Sequence, residues 1–278
     1  MKSPLISATN LAALLARQEP VVILDARAGD VPYREGHLSG AQRADLETHL
    51  SGARDAGADP ARGGRHPLPS IERWAAQLGV WGIAPETSVV IYDDQNGANA
   101  AARAWWMLRG AGHEATAVLD GGFAAAVAAG VPVTSDVALT TSAPNYPATR
   151  WLRPTVDLAA VDAIRADRER VLLDVRAAPR FRGETEPIDP IAGHIPGAVN
   201  LPFAENLEGG LFKRPEVLRA MYTELLDGRS SDRLVVHCGS GVTACHTLLA
   251  LEAAGLDGAA LYVGSWGEWC RNDLPREP

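Results

Sequence analysis

Hydrophobic residues in this chain come in short solid blocks, not in alternation. Val21-Val22-Ile23-Leu24, Val89-Val90-Ile91-Tyr92, Val171-Leu172-Leu173 and Leu234-Val235-Val236 each run apolar on successive positions and then meet an Asp or a His. That is the pattern of strands buried on both faces of a parallel sheet. Helix-like stretches such as Ala100 to Arg109 and Thr243 to Ala254 lie between the blocks. The alternation predicts an α/β fold, a mostly parallel sheet flanked by helices. The blocks also repeat. Val21-Val22-Ile23-Leu24-Asp25-Ala26-Arg27 is answered by Val171-Leu172-Leu173-Asp174-Val175-Arg176, and Gly36-His37-Leu38-Ser39-Gly40-Ala41 by Gly193-His194-Ile195-Pro196-Gly197-Ala198. Downstream, Val89 to Asp93 matches Leu234 to Cys238, and Val118-Leu119-Asp120-Gly121-Gly122-Phe123 matches Leu261-Tyr262-Val263-Gly264-Ser265-Trp266. A repeat this long is a duplicated domain. The expected division is 1–134 for the first copy, 135–154 for an extended Pro-rich linker whose Trp151 docks on one domain, and 155–278 for the second copy.

The copies differ where reactivity would sit. The second places Cys238 at the end of a buried strand, followed by Gly239-Ser240-Gly241-Val242-Thr243 and a helix. Two glycines let the backbone curl so that N–H groups converge, and the helix adds its positive end, an environment that favours an anionic sulfur as nucleophile. The first copy has Asp93 and the loop Asp94-Gln95-Asn96-Gly97-Ala98-Asn99 instead. An aspartate cannot carry a persulfide, so this half reads as non-catalytic. Cysteine phosphatases use a Cys-x5-Arg loop to fork onto phosphate; here Ala244 stands at the arginine's place. Asp25, Arg27, His37 and their counterparts Asp174, Arg176 and His194 occur in both halves, which makes them braces of strand ends and turns.

The Cys238-Gly239-Ser240-Gly241-Val242-Thr243 loop resembles that of the rhodanese superfamily, and specifically of the 3-mercaptopyruvate sulfurtransferases; the resemblance covers nearly the whole chain. It implies two tandem rhodanese-like domains, with catalysis in the C-terminal one. The implied activity moves a sulfane sulfur from 3-mercaptopyruvate through a Cys238 persulfide to a thiol acceptor, such as a thioredoxin-like protein, or to cyanide. Thiosulfate is the alternative donor, and a persulfide carrier without turnover the alternative role. Gly239, Gly241, Val242 and Thr243 would cradle the anionic sulfur. Ser240 would donate a proton or hydrogen bond to the departing enolate, and relatives preferring thiosulfate carry basic residues where Gly239 and Ser240 stand. The segment from Ala178 to Pro190 resembles one whose leading arginine, here Arg180, binds the anionic end of the donor. A second arginine found further along in many relatives is replaced by Asp189-Pro190, leaving Arg182 as the remaining candidate. By the same resemblance, His37 with an upstream Asp, here Asp30, is a candidate to polarise the loop serine.

Composition agrees. The chain has 278 residues, 46% of them hydrophobic, and a net charge of −8, which argues against nucleic acid as partner. No apolar stretch approaches a membrane span or a signal peptide, so a cytoplasmic location is expected. Cys238, Cys245 and Cys270 match no disulfide scaffold or zinc spacing, and the implied chemistry needs neither metal nor organic cofactor. His237 is expected to be structural, Cys245 core, and Cys270 a semi-buried free thiol.

Overall fold

The computed structural model describes residues 3–98, 100–138 and 142–278. It contains two compact units: Met1–Leu50 with Pro69–Leu152 and Gly210–Phe212, and Ser51–Leu68 with Arg153–Gly209 and Lys213–Pro278. In the first, strands β1 (Leu5–Ser7), β2 (Val21–Asp25), β3 (Gln42–Arg43), β4 (Ser88–Tyr92) and β5 (Thr116–Asp120) form a parallel sheet in the order β1-β5-β4-β2-β3. Helices α1 (Ala8–Ala16), α2 (Asp30–Glu35), α3 (Ile71–Val80), α4 (Ala101–Gly110) and α5 (Gly122–Ala128) belong with it. In the second unit β6 (Thr155–Val156), β7 (Val171–Asp174), β8 (Val199–Asn200), β9 (Leu234–His237) and β10 (Ala260–Tyr262) form a parallel sheet ordered β8-β7-β9-β10-β6. Its helices are α6 (Leu158–Ile164), α7 (Ala178–Phe181), α8 (Pro215–Leu226), α9 (Thr243–Ala253) and α10 (Ser265–Trp269). Taken by position within each copy, both sheets run third, second, fourth, fifth, first.

The solid apolar blocks are explained by this burial. Val89 to Tyr92 of β4 and Leu234 to His237 of β9 are buried at every position, as a strand between two neighbours and two helical layers must be. The opening helices are capped in the same way, Ser7 Oγ accepting from the Asn10 amide and Asp157 Oδ1 from the Ala160 amide. Each copy is then stitched at the carboxyl ends of its strands. Arg27 Nη2 lies 2.6 Å from Asp25 Oδ2 and donates to the Gly36 carbonyl at 2.7 Å; Arg176 Nη2 lies 2.7 Å from Asp174 Oδ2 and donates to the Gly193 carbonyl at 2.8 Å. The guanidiniums sit over matching rings, Phe123 and Trp266.

The described part of the 135–154 stretch packs with the first unit as far as Leu152. Trp151 lies against Trp106 of α4 with ring centres 6.2 Å apart, and Leu152 donates to the Gly110 carbonyl at 2.8 Å. Gly110 is small for this reason, since a Cβ there would stand 2.9 Å from the Trp151 ring. Residues 139–141 of that stretch, and Asn99 of the first-copy loop, lie outside the described residues. Ser51–Leu68 lies within the first copy in sequence yet belongs to the second unit. Gly63 donates to Glu268 Oε1 at 2.6 Å, Asn272 Nδ2 donates to the Ala61 carbonyl at 3.0 Å, and Gly64 presses so closely on Gly264 that a Cβ would meet its carbonyl oxygen at 2.4 Å. Among the described residues no helix is long and apolar enough to cross a membrane.

Candidate active site

Cys238 follows β9 at the carboxyl edge of the second sheet, buried, where parallel α/β sheets place their ligands. Its own amide donates to Ser265 Oγ at 3.1 Å. The carbonyls of Cys238 and Gly239 turn away to accept from the amides of Trp266 and Gly267 at 3.0 and 2.9 Å. With those oxygens engaged by α10, the loop amides are left to face the sulfur. The Ser240 amide is 3.5 Å from Cys238 Sγ, and the amides of Val242 and Thr243 donate to no protein acceptor among the described residues. Gly241 turns the chain with φ at 71°, a left-handed value, and a Cβ would strike the Val263 carbonyl at 2.5 Å. Val242 then caps α9, whose first residue is Thr243, so the helix's positive end points at the same hollow. Ser240 is buried, and its hydroxyl has no protein partner among the described residues.

The first copy shows what such a loop holds. Asp93 is wholly buried, and its carboxylate accepts from the amides of Gln95 and Gly97 at 2.9 and 2.8 Å and of Ala100 and Ala101 at 3.2 Å. The cradle is thus filled by the chain's own anion. The matching α5 contact is preserved, Phe123 donating to the Asp93 carbonyl at 2.9 Å. An anionic sulfur on Cys238 would be met by the same class of donors.

Above the loop stands a cluster of charge. Arg180 donates to Glu186 through Nη2 at 2.7 Å and Nε at 3.3 Å, and its Nη2 is 3.5 Å from Asp189 Oδ2. Burial pushes the Glu186 carboxyl up, but the bonds from Arg180 and from the amides of Asp189 and Ile188 outweigh it and hold it below the usual glutamate value. The Asp189 side chain is fully buried, and its Oδ1 receives Arg65 Nε and Arg271 Nη1, both at 3.0 Å. A Cβ on Gly239 would lie 3.0 Å from Arg65 Nη2 and 3.5 Å from Arg180 Nη2. Both guanidiniums therefore reach the neighbour of Cys238.

Asp189, which stands in place of the relatives' second arginine, is itself paired with an arginine from a distant segment, Arg65. Arg182 stands apart, exposed and paired with Glu184 at 2.6 Å. Arg65, Arg271 and Ser265 stand around this loop without having been singled out by sequence reasoning.

The other candidates have local partners. The ring nitrogens of His37 lie 2.8 and 3.0 Å from the carbonyl oxygens of Tyr33 and Asp136, and the ring stacks on Tyr33. Asp30 is exposed and pairs with Arg34 and Arg43, not with His37. His237 is buried and registered beside Asp174 across the β9/β7 pairing, the place held by Tyr92 beside Asp25 in the first copy. Cys245 is buried and donates to the Gly241 carbonyl, bracing the loop. Cys270 is fully buried where partial exposure was expected, because it follows Trp266 and Trp269 into the core beneath α10, and burial pushes its thiol up.

The family model for a rhodanese-like domain matches residues 7–129 and 157–272, that is, both copies. The chain belongs to the rhodanese family. Among its relatives is a protein of Pseudomonas aeruginosa named a probable 3-mercaptopyruvate sulfurtransferase, 43% identical over 283 residues and covering 99% of this chain and 96% of the relative. The thiosulfate sulfurtransferase of Gallus gallus is 36% identical over 242 residues, covering 83% and 81%. The solved 3-mercaptopyruvate sulfurtransferase from Leishmania major superposes with a TM-score of 0.83 at 30% identity, over 97% of this chain and 75% of that one. The duplication read from the repeat, and the rhodanese-like domains that the resemblance implied, are those observed.

Proposed function

We propose that this rhodanese is a sulfurtransferase that takes the sulfur of 3-mercaptopyruvate onto Cys238 and passes it to an acceptor thiol or to cyanide. The observation that carries this reading is a buried Cys238 facing converging amides, with Ser240 beside it and the Arg180 guanidinium above Gly239. Arg180 would hold the donor's carboxylate. The Cys238 sulfur attacks the donor's sulfur; the carbon–sulfur bond breaks, its electron pair goes to carbon, and the pyruvate enolate is protonated with the Ser240 hydroxyl as donor. Cys238 is left as a persulfide, its outer sulfur held by the loop amides until the acceptor removes it. A dithiol protein of the thioredoxin kind in a reducing compartment such as the cytoplasm suits the last step.

One observation favours a second reading. The Arg65 guanidinium adds positive charge at the loop, and that also suits the dianion thiosulfate. Steady-state rates with both donors decide between them. The expected result is a kcat/KM for mercaptopyruvate higher by about tenfold or more, equal to ~1.4 kcal/mol of transition-state discrimination; equal or better rates with thiosulfate would reverse the donor assignment. Cys238→Ser should abolish transfer with either donor, and mass measurement after donor alone should show about 32 Da, one sulfur, added to the unmutated protein only.

A further inference from the structure

Arg65 is held by one edge. Its Nε meets the buried Asp189 Oδ1 at 3.0 Å, while its two Nη nitrogens donate to nothing among the described residues and Nη2 lies over Gly239. The backbone just before it is pinned twice, by Gly63 on Glu268 and by the close approach of Gly64 to Gly264. Gly267 leaves space for the arrangement, since a Cβ there would sit 2.7 Å from the Gly239 carbonyl and 3.5 Å from Arg65 Nε. Asp189 is the common anchor, tying Arg65 and Arg271 through Oδ1 and standing 3.5 Å from Arg180 through Oδ2. Oδ2 has no hydrogen-bond partner, so this carboxylate is not saturated by its neighbours. Three guanidiniums, of Arg65, Arg180 and Arg271, face two carboxylates, of Asp189 and Glu186. Arg176 and Asp174 add one charge of each sign. What the cluster offers the sulfur loop is the Nη2 end of Arg65, which no carboxylate among the described residues takes.

We infer that Arg65 binds the donor's carboxylate together with Arg180, and that Asp189 is the positioning residue that aims both guanidiniums. An arginine serving only to tie Ser51–Leu68 down would spend its fork on the protein; this one spends a single nitrogen. A carboxylate between the two guanidiniums takes the Nη N–H groups of Arg65 and those of Arg180 that Glu186 leaves free.

The inference rests on the reading of mercaptopyruvate as donor, and its test is separable from that reading. Pyruvate has the carboxylate and no sulfur to transfer, so its binding to Cys238→Ser protein, followed by saturation-transfer NMR, reports the clamp alone. Adding Arg65→Ala should weaken pyruvate binding by about 10- to 100-fold, Arg65→Lys should recover only part of it, and Arg182→Ala should leave it unchanged. In turnover, Arg65→Ala should raise the KM for mercaptopyruvate with the KM for cyanide unaltered, because cyanide meets the enzyme after pyruvate has left. Asp189→Asn should shift the donor KM the same way, with kcat changed less. Should Arg65→Ala fold poorly, Arg65→Gln provides the second variant: its amide can still donate to Asp189, but it has no guanidinium to fork onto a carboxylate, so a loss of pyruvate affinity in the same direction is expected. Folded Arg65→Ala protein that binds pyruvate within about threefold of its parent overturns the inference, even if mercaptopyruvate proves to be the donor. Absence of turnover with mercaptopyruvate, alongside a large loss of pyruvate binding, overturns the donor assignment and leaves the clamp standing.

Discussion

Ser265 shows how one residue can serve reactivity at the expense of local comfort. Its φ is 55°, in the left-handed region, and the matching position in the first copy is Gly122 with φ at 59°. A serine in that conformation costs roughly 1–2 kcal/mol. Its hydroxyl supplies the compensation, donating to the Tyr262 carbonyl at 2.9 Å and accepting the Cys238 amide at 3.1 Å. Ser265→Gly should remove both the strain and the hydrogen bonds, terms of about the same size and opposite sign. The expected outcome is a nearly unchanged melting temperature with a several-fold lower rate of persulfide formation, since the Cys238 amide loses the acceptor that orients it; a melting temperature and a stopped-flow loading rate on one preparation check both halves. Gly239 is constrained differently. Giving the loop the basic residues of thiosulfate-preferring relatives would place an arginine where even a Cβ stands 3.0 Å from Arg65 Nη2. Such a change should disturb the Arg65–Asp189 pair before it adds a new anion site.

At the level of elements, the two strand–loop–helix units β4–α4 and β9–α9 are the same device with different contents. One is closed by Asp93, the other left open at Cys238. Closing the first is a matter of stability. Asp93→Ala would leave four amides without their carboxylate in a buried loop, and hydrogen bonds to a charged group are worth about 1.5–3 kcal/mol each before relaxation. A loss of roughly 3 kcal/mol or more in denaturant-induced unfolding is expected. A loss below about 1 kcal/mol would mean that water replaces the carboxylate easily.

Across the whole molecule, buried histidines and paired carboxylates set the response to acid. Burial pushes His49, His113 and His237 below the ordinary 6.5. The unfolded chain then takes up these protons first, so their contribution is complete above pH 6.5 and lost as pH falls from 6.5 through the folded values. Glu186 and Asp174 are depressed despite burial, Glu186 by Arg180 and neighbouring amides, Asp174 by His237 and Arg176. Their contribution is present above the ordinary 4.5 and 3.8 and lost as pH falls through the folded values. Melting temperature should therefore decline in two stages, first below about pH 6.5 and again below about pH 4.5. A melting temperature flat between pH 7 and pH 5 would contradict the first stage.

The strands, the duplication and the cysteine loop were legible in the sequence because each depends on residues adjacent or regularly spaced along it: solid apolar blocks for buried parallel strands, a repeated Asp-x-Arg and Gly-His for the stitched corners, a Cys between a strand and two glycines for the loop. The charge cluster above the loop was not, since Arg65 and Asp189 are 124 residues apart and nothing in either neighbourhood names the other. Asp189 read as the loss of an arginine, whereas folding pairs it with Arg65. Composition and spacing determined which chemistry this chain carries. The close passage of Gly64 past Gly264, a contact only tertiary packing can make, decided which cations surround it.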